Sequence, residues 1–215
     1  MQNNNNKIQT ILSILAKQTP SPQTELHYSN PFELLVAVIL SAQCTDKRVN
    51  MVTPSLFKAF PTASAMAQAS VEDIYEKIKS VSYPNNKSQN LKKMSQILIE
   101  NFGGQTPDNI EALETLPGVG RKTASVVVSV LYNKPAMPVD THVFRVSNRL
   151  GIVNAKNVRE AEKQLLALIP EDLLHNAHHW LILHGRYVCK ARSPKCSECS
   201  LKDYCDYFKK IANRA

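Results

Sequence analysis

Three features of this sequence pair reactive residue types with informative spacing. Lys122 stands two residues after Gly120 in LPGVGRKTAS, residues 116–125. A lysine amine with a lowered pKa attacks carbonyl-like carbon and forms a Schiff base. Asp140 follows eighteen residues later, in PVDTHVFRVSNRLG. Near the C-terminus Cys189, Cys196, Cys199 and Cys205 are spaced C-x6-C-x2-C-x5-C, a dense set of thiolate donors.

The two glycines of LPGVGRKTAS suggest a phosphate cradle, but not a nucleotide P-loop. That motif needs G-x-x-x-x-G-K-[ST] after a strand. Here Arg121 separates Gly120 from Lys122, Thr115 occupies the first glycine position, and no strand pattern precedes the loop. The remaining reading is a tight turn between two helices. EALETL ends one helix, Pro117 and Gly118 break it, and Gly120 lets the chain enter the next. Backbone N–H groups at such a turn can bind an anion. An ordinary glycine-capped turn is the alternative, and the Arg-Lys pair that follows favours the anion.

Lys122 lies in the first turn of the second helix, where the positive end of the macrodipole disfavours another positive charge. Partial burial would act the same way, exposing a neutral amine, while a nearby carboxylate would oppose it. Asp140 reads first as the N-cap of THVFRVSNRL. If both helix starts face one cleft, amine and carboxylate meet there.

Four of five cysteines within 17 residues point to a metal site rather than a disulfide framework. Structural zinc sites favour paired knuckles, and only Cys196 and Cys199 form one; a [4Fe–4S] cluster accepts the looser spacing. Either metal leaves the same net charge on four thiolates. Lys190, Arg192 and Lys195 lie between the first two cysteines, suited to phosphate contacts or to offsetting that charge. Cys44 reads as a small core residue. His175, His178, His179 and His184 fall in an amphipathic helix around Trp180 without close carboxylate or cysteine partners, which favours packing over metal binding.

The elements positioning these residues read as all-α, about ten helices without internal repeats. Capping residues precede apolar positions of helical period at Asn30, Thr45, Ser70, Asp108 and Asn157. EDLLHNAHHWLILHGRYVC reads as one long helix, VVVSVLY as helix despite its valines, and MQNNNNKIQT as a disordered cap. A chain of 215 residues with 43% hydrophobic and 20% charged residues suits one large or two small soluble domains. No apolar run reaches the roughly 18 residues of a membrane span, so a cytoplasmic protein is expected. The net charge of +8 favours a polyanionic partner. From Arg186 onward eight Lys/Arg face three Asp/Glu, concentrating that charge near the cysteines.

Together LPGVGRKTA, the following VDTH and the cysteine spacing make the chain resemble endonuclease III, a base-excision DNA glycosylase with lyase activity, from LSAQCTD to Cys205. The resemblance implies two helical domains flanking a DNA-binding cleft. Residues 24–134 would form a helical barrel carrying a helix-hairpin-helix motif, and residues 1–23 with 135–215 an iron–sulfur domain. It implies a bifunctional enzyme that removes oxidised pyrimidines from duplex DNA and cuts the strand by β-elimination. Lys122 would attack the deoxyribose C1′, with Asp140 assisting, and the four cysteines would hold a [4Fe–4S] cluster. Gly118, Val119, Gly120 and Arg121 would hold the DNA backbone, with Lys190, Arg192 and Lys195 adding phosphate contacts. Gln43 would fill the gap left by the flipped nucleotide. SVSYPNNKS departs from the family's glycine–hydrophobe–tyrosine pattern, so Tyr83 stands where a leucine-like wedge is common. The implied partner is damaged or abasic duplex DNA, bound by a monomer without a membrane. Two rivals are an adenine glycosylase, opposed by Lys122 and by the short tail after Cys205, and a noncatalytic DNA clamp.

Overall fold

A computed structural model describes residues 2–212. Among them are twelve α-helices, two short 3-10 helices and no strand. The chain divides into two compact units, Thr24–Lys134 and a discontinuous one of Met1–Gln23 with Pro135–Ala215. No helix among the described residues is long and apolar enough to cross a membrane.

The Thr24–Lys134 unit is organised round α2 (Pro31–Ser41), which is apolar on nearly every face. Phe32 and Leu34 through Leu40 are all buried, as expected of a helix enclosed by others. Asn30 caps it by accepting from the Glu33 N–H at 3.0 Å, and Pro31 opens it. Around α2 pack α3 (Asp46–Ala59), α6 (Pro84–Phe102) and α8 (Arg121–Tyr132). Thr45 and Ser70 cap α3 and α5 (Val71–Ile78) as the sequence suggests, and VVVSVLY is helical within α8. The smaller α4 (Ala63–Gln68) packs on α6, and α7 (Ile110–Glu114) on α8.

In the other unit Ile8, Ile11, Leu12 and Leu15 form one stripe of α1 (Gln2–Gln18). This stripe joins a core with Val143, Val146, Leu165, Trp180, Leu181 and Leu201. The helices supplying the rest are α9 (Thr141–Leu150), α10 (Val158–Leu168), α11 (Leu174–Tyr187) and α12 (Asp206–Ala212). Each such apolar side chain, fully buried, contributes about 1.5–3 kcal/mol. Gly185 lets α11 approach α9 closely, because a Cβ there would stand 2.8 Å from His142 Cβ.

Four sequence expectations need correction. The N-terminal stretch is helical from Gln2, since its apolar stripe anchors a helix that the asparagines extend. The cap of α7 is Asn109 instead of Asp108. The segment from Glu171 opens with a 3-10 turn, Glu171–Leu173, before α11 begins. About ten helices undercounts the fold, partly because α6 has no side-chain cap to announce it.

Candidate active site and metal centre

The glycine turn joins α7 to α8. Gly118 has φ +82, open to glycine at little cost, and a Cβ there would stand 3.2 Å from Asn90 of α6 and 3.4 Å from Ile39 of α2. The turn is therefore seated directly on the helices of the unit's core. Val119 is buried and its N–H donates to Leu116 O at 3.0 Å, fixing the turn from inside. Gly120, at φ −97, needs no glycine for its backbone, and a Cβ would meet nothing within 4 Å. Its bare Cα instead leaves the N-terminus of α8 open to an approaching phosphate. Arg121 and Lys122 follow in the first turn of α8, both exposed. The partial burial of Lys122 raised as a possibility by the sequence is not found.

Elsewhere in this unit Gln43 and Tyr83 share a rare conformation. Their φ values are +54 and +55, left-handed for side chains that ordinarily avoid that region. The Ser82 hydroxyl donates to Gln43 O at 2.6 Å, joining the two segments. Both side chains are exposed, Tyr83 at 60%. Cys44 is half-buried beside them.

Asp140 belongs to the other unit. Its Oδ1 accepts from the His142 and Val143 N–H groups, each at 2.8 Å, so it caps α9. Both bonds fall on Oδ1, which leaves Oδ2 outside the cap.

None of the four clustered cysteines is in a disulfide, and all four line one pocket. Among the described residues no three His, Cys, Asp or Glu side chains converge as ligands of a single ion. Four cysteines lining one pocket are the donor set that a [4Fe–4S] cluster takes. Burial pushes the Cys196 and Cys199 thiols up, a preference that coordination reverses by deprotonating the sulfur. His184 lines the cavity with Nε2 3.7 Å from Cys199 Sγ, and burial lowers its pKa to about 4. As a neutral imidazole it can donate to a ligand sulfur. The residues present fit an iron–sulfur cluster.

Two arginines that the sequence reading passed over secure the cysteine loop. Arg149 Nη1 donates to Lys190 O at 2.8 Å and lies 3.5 Å from Cys189 Sγ. Its Nη2 donates to Ala191 O at 3.0 Å, and the guanidinium stacks 4.4 Å over the Tyr207 ring. Arg145 donates to Cys189 O at 3.0 Å and Gly185 O at 2.9 Å. Four residues apart on α9, both face the loop, and that spacing was the available signal. Lys190, Arg192 and Lys195 remain exposed. His178 and His179 are buried, with His175 and His178 each edge-on to His179, so these histidines pack.

Residues 36–171 match the HhH-GPD superfamily of base excision DNA repair proteins. Residues 189–205, from the first clustered cysteine to the last, match the iron–sulfur binding domain of endonuclease III. The cofactor is a [4Fe–4S] cluster. Endonuclease III of Rickettsia conorii is 48% identical, covering 94% of this chain and 96% of the relative. That of Escherichia coli is 46% identical over 94% and 95%. A solved structure of a trapped endonuclease III–DNA covalent intermediate superposes with TM-score 0.92 at 44% identity, covering 97% of this chain and 98% of its own. The chain belongs to the endonuclease III family within the HhH-GPD superfamily of base excision DNA repair proteins.

Proposed function

We propose that this protein removes oxidised pyrimidines from duplex DNA, with Lys122 as nucleophile and Asp140 as its electrostatic partner. The protein is a bifunctional DNA glycosylase/AP lyase of base excision repair. The supporting observation is an exposed amine at the start of α8, directly behind a glycine turn with its backbone open to phosphate. A DNA substrate supports a cytoplasmic protein, associated with the nucleoid if the cell is bacterial.

The target base sits inside the stack and must be flipped out before its C1′ is reachable. The turn at Gly118–Gly120 holds the distorted backbone without reading sequence. The Lys122 lone pair then forms a bond to C1′ as the C1′–N bond breaks and the base leaves with its electron pair. Positive charge develops on the sugar, and the Asp140 carboxylate stabilises it. Ring opening gives an iminium between Lys122 and C1′, with the proton passing to O4′. The iminium acidifies the 2′-hydrogen; its removal expels the 3′-phosphate and cuts the strand. Hydrolysis of the imine frees Lys122. Cys189, Cys196, Cys199 and Cys205 would hold the cluster, which would fix the loop that presents Lys190, Arg192 and Lys195 to phosphates.

Borohydride reduction tests this reading directly. Wild-type protein should cross-link to abasic-site DNA and Lys122→Ala should not; equal trapping by Lys122→Ala would sink the assignment.

A further inference from the structure

We propose that Lys87 is a positioning residue for base extrusion: it locks Gln43 and Tyr83 at the separation needed to enter the stack together. The proposal rests on the reading of Gln43 as the residue that fills the vacated space.

Lys87 is a buried cation, only 6% exposed. Its ammonium donates to Leu40 O and Ala42 O, both at 2.8 Å. These carbonyls lie at the end of α2, where helical acceptors lack intrahelical donors and the dipole is negative. They also bracket the turn into Gln43. Lys87 belongs to the first turn of α6, and its backbone N–H donates to Tyr83 O at 3.1 Å. One residue therefore binds the approach to Gln43 with its side chain and Tyr83 with its backbone.

The arrangement runs against local preference. A lysine in the first turn of a helix opposes the macrodipole, and burial adds a desolvation cost. Burial accordingly lowers the Lys87 pKa, with Cys44 opposing. Gln43 and Tyr83 add two left-handed backbones that glycine would adopt more cheaply. Strain that persists in side chains left exposed indicates a use outside the fold. A glutamine amide can pair with an orphaned base, and a tyrosine ring can stack on a neighbour. Both actions need the two residues held against the resistance of a stacked duplex.

The test separates extrusion from chemistry. Excision of a pyrimidine lesion from duplex DNA is compared with borohydride trapping on a single-stranded abasic oligonucleotide, which has no orphaned base and no stack to open. Lys87→Met should slow duplex excision roughly tenfold, the scale of losing charge-assisted hydrogen bonds. It should flatten the dependence of rate on the opposite base and leave single-strand trapping within about twofold. Gln43→Ala should behave similarly, and the double variant should be no worse than the poorer single one, because coupled residues are not additive. Equal loss of both activities in Lys87→Met, or a double variant with multiplied defects, overturns the positioning role. A damaged Gln43→Ala beside a normal Lys87→Met overturns it while sparing the reading of Gln43. A Gln43→Ala protein with full duplex excision removes that reading and the proposal together. Should Lys87→Met fail to fold, Ser82→Ala, which breaks only the bond to Gln43 O, decides by the same comparisons.

Discussion

Replacing Arg149 by methionine should weaken DNA binding without emptying the cluster site. The side chain makes two carbonyl hydrogen bonds, to Lys190 and Ala191, and stacks on Tyr207. The carbonyl bonds reach solvent, so each contributes less than the full charge-assisted range, about 1–1.5 kcal/mol. The stack adds about 0.5–1 kcal/mol. Together about 2.5–4 kcal/mol of loop order is at stake. Without Arg149 that order must be supplied when DNA binds, at about 1.4 kcal/mol per tenfold in affinity. Because Cys189 and Cys196 still tether both ends, a loss of about ten- to a hundredfold is expected. The loop's three cations make the effect salt-dependent. Each phosphate contact contributes about 0.9 to the slope of log affinity against log salt. Titrating an abasic-site duplex from low to moderate salt should therefore show a slope reduced by about 1–3. Absorbance near about 400 nm checks that iron is retained. An Arg149→Met protein with full iron, unchanged affinity and unchanged salt slope would refute the idea that this arginine presents the loop.

Asp140→Asn should retain the cap of α9 and lose turnover, whereas Asp140→Ala should lose turnover and about 1 kcal/mol of stability in urea unfolding. Gly118→Ala should destabilise the protein by about 1–3 kcal/mol through positive φ and contact with Asn90. Gly120→Ala should leave the melting temperature unchanged and weaken binding to undamaged duplex, measured by fluorescence anisotropy. Acid should destabilise the fold through His179, whose pKa falls to about 4, first through burial and then through His175 and Arg186. The unfolded chain binds more protons between pH 4 and the ordinary histidine value, so this stability is complete above about pH 6.5 and declines as pH falls. Roughly 2 kcal/mol should be lost by pH 5, and urea unfolding of His179→Gln should lack that share.

Short-range signals were the legible ones. Asn30, Thr45, Ser70 and Asn157 cap helices because the cue and its effect lie within three residues. The glycine turn could be read because a broken helix, two glycines and a restart are contiguous. The start of α6 was hidden, since Tyr83 caps it with a left-handed backbone and no side-chain bond. Nothing local marks Lys87, because its partners lie more than forty residues away, at Leu40 and Ala42. Arg145 and Arg149 were obscured for the same reason: their acceptors belong to a loop some forty residues downstream. Local chemistry announces itself in a sequence, whereas a buried cation is defined by acceptors that only the folded chain supplies.

The N-terminal helix has a consequence for how the protein is made. Ile8, Ile11, Leu12 and Leu15 join a core whose other buried members lie among residues 137–205. Lys7 pairs with Asp206 at 2.8 Å, the Trp180 indole donates to Thr19 O, and Gln18 reaches Ser200. On the ribosome, α1 thus emerges well before the partners that cover it and has to wait for them. The Thr24–Lys134 unit can collapse on itself while α1 trails with its apolar stripe uncovered. Completion then coincides with synthesis of Cys205, the last cysteine of the cluster. The same late stretch of chain thus completes both the cysteine set and the cover of α1, and a ribosome stalled short of it would display an adhesive helix.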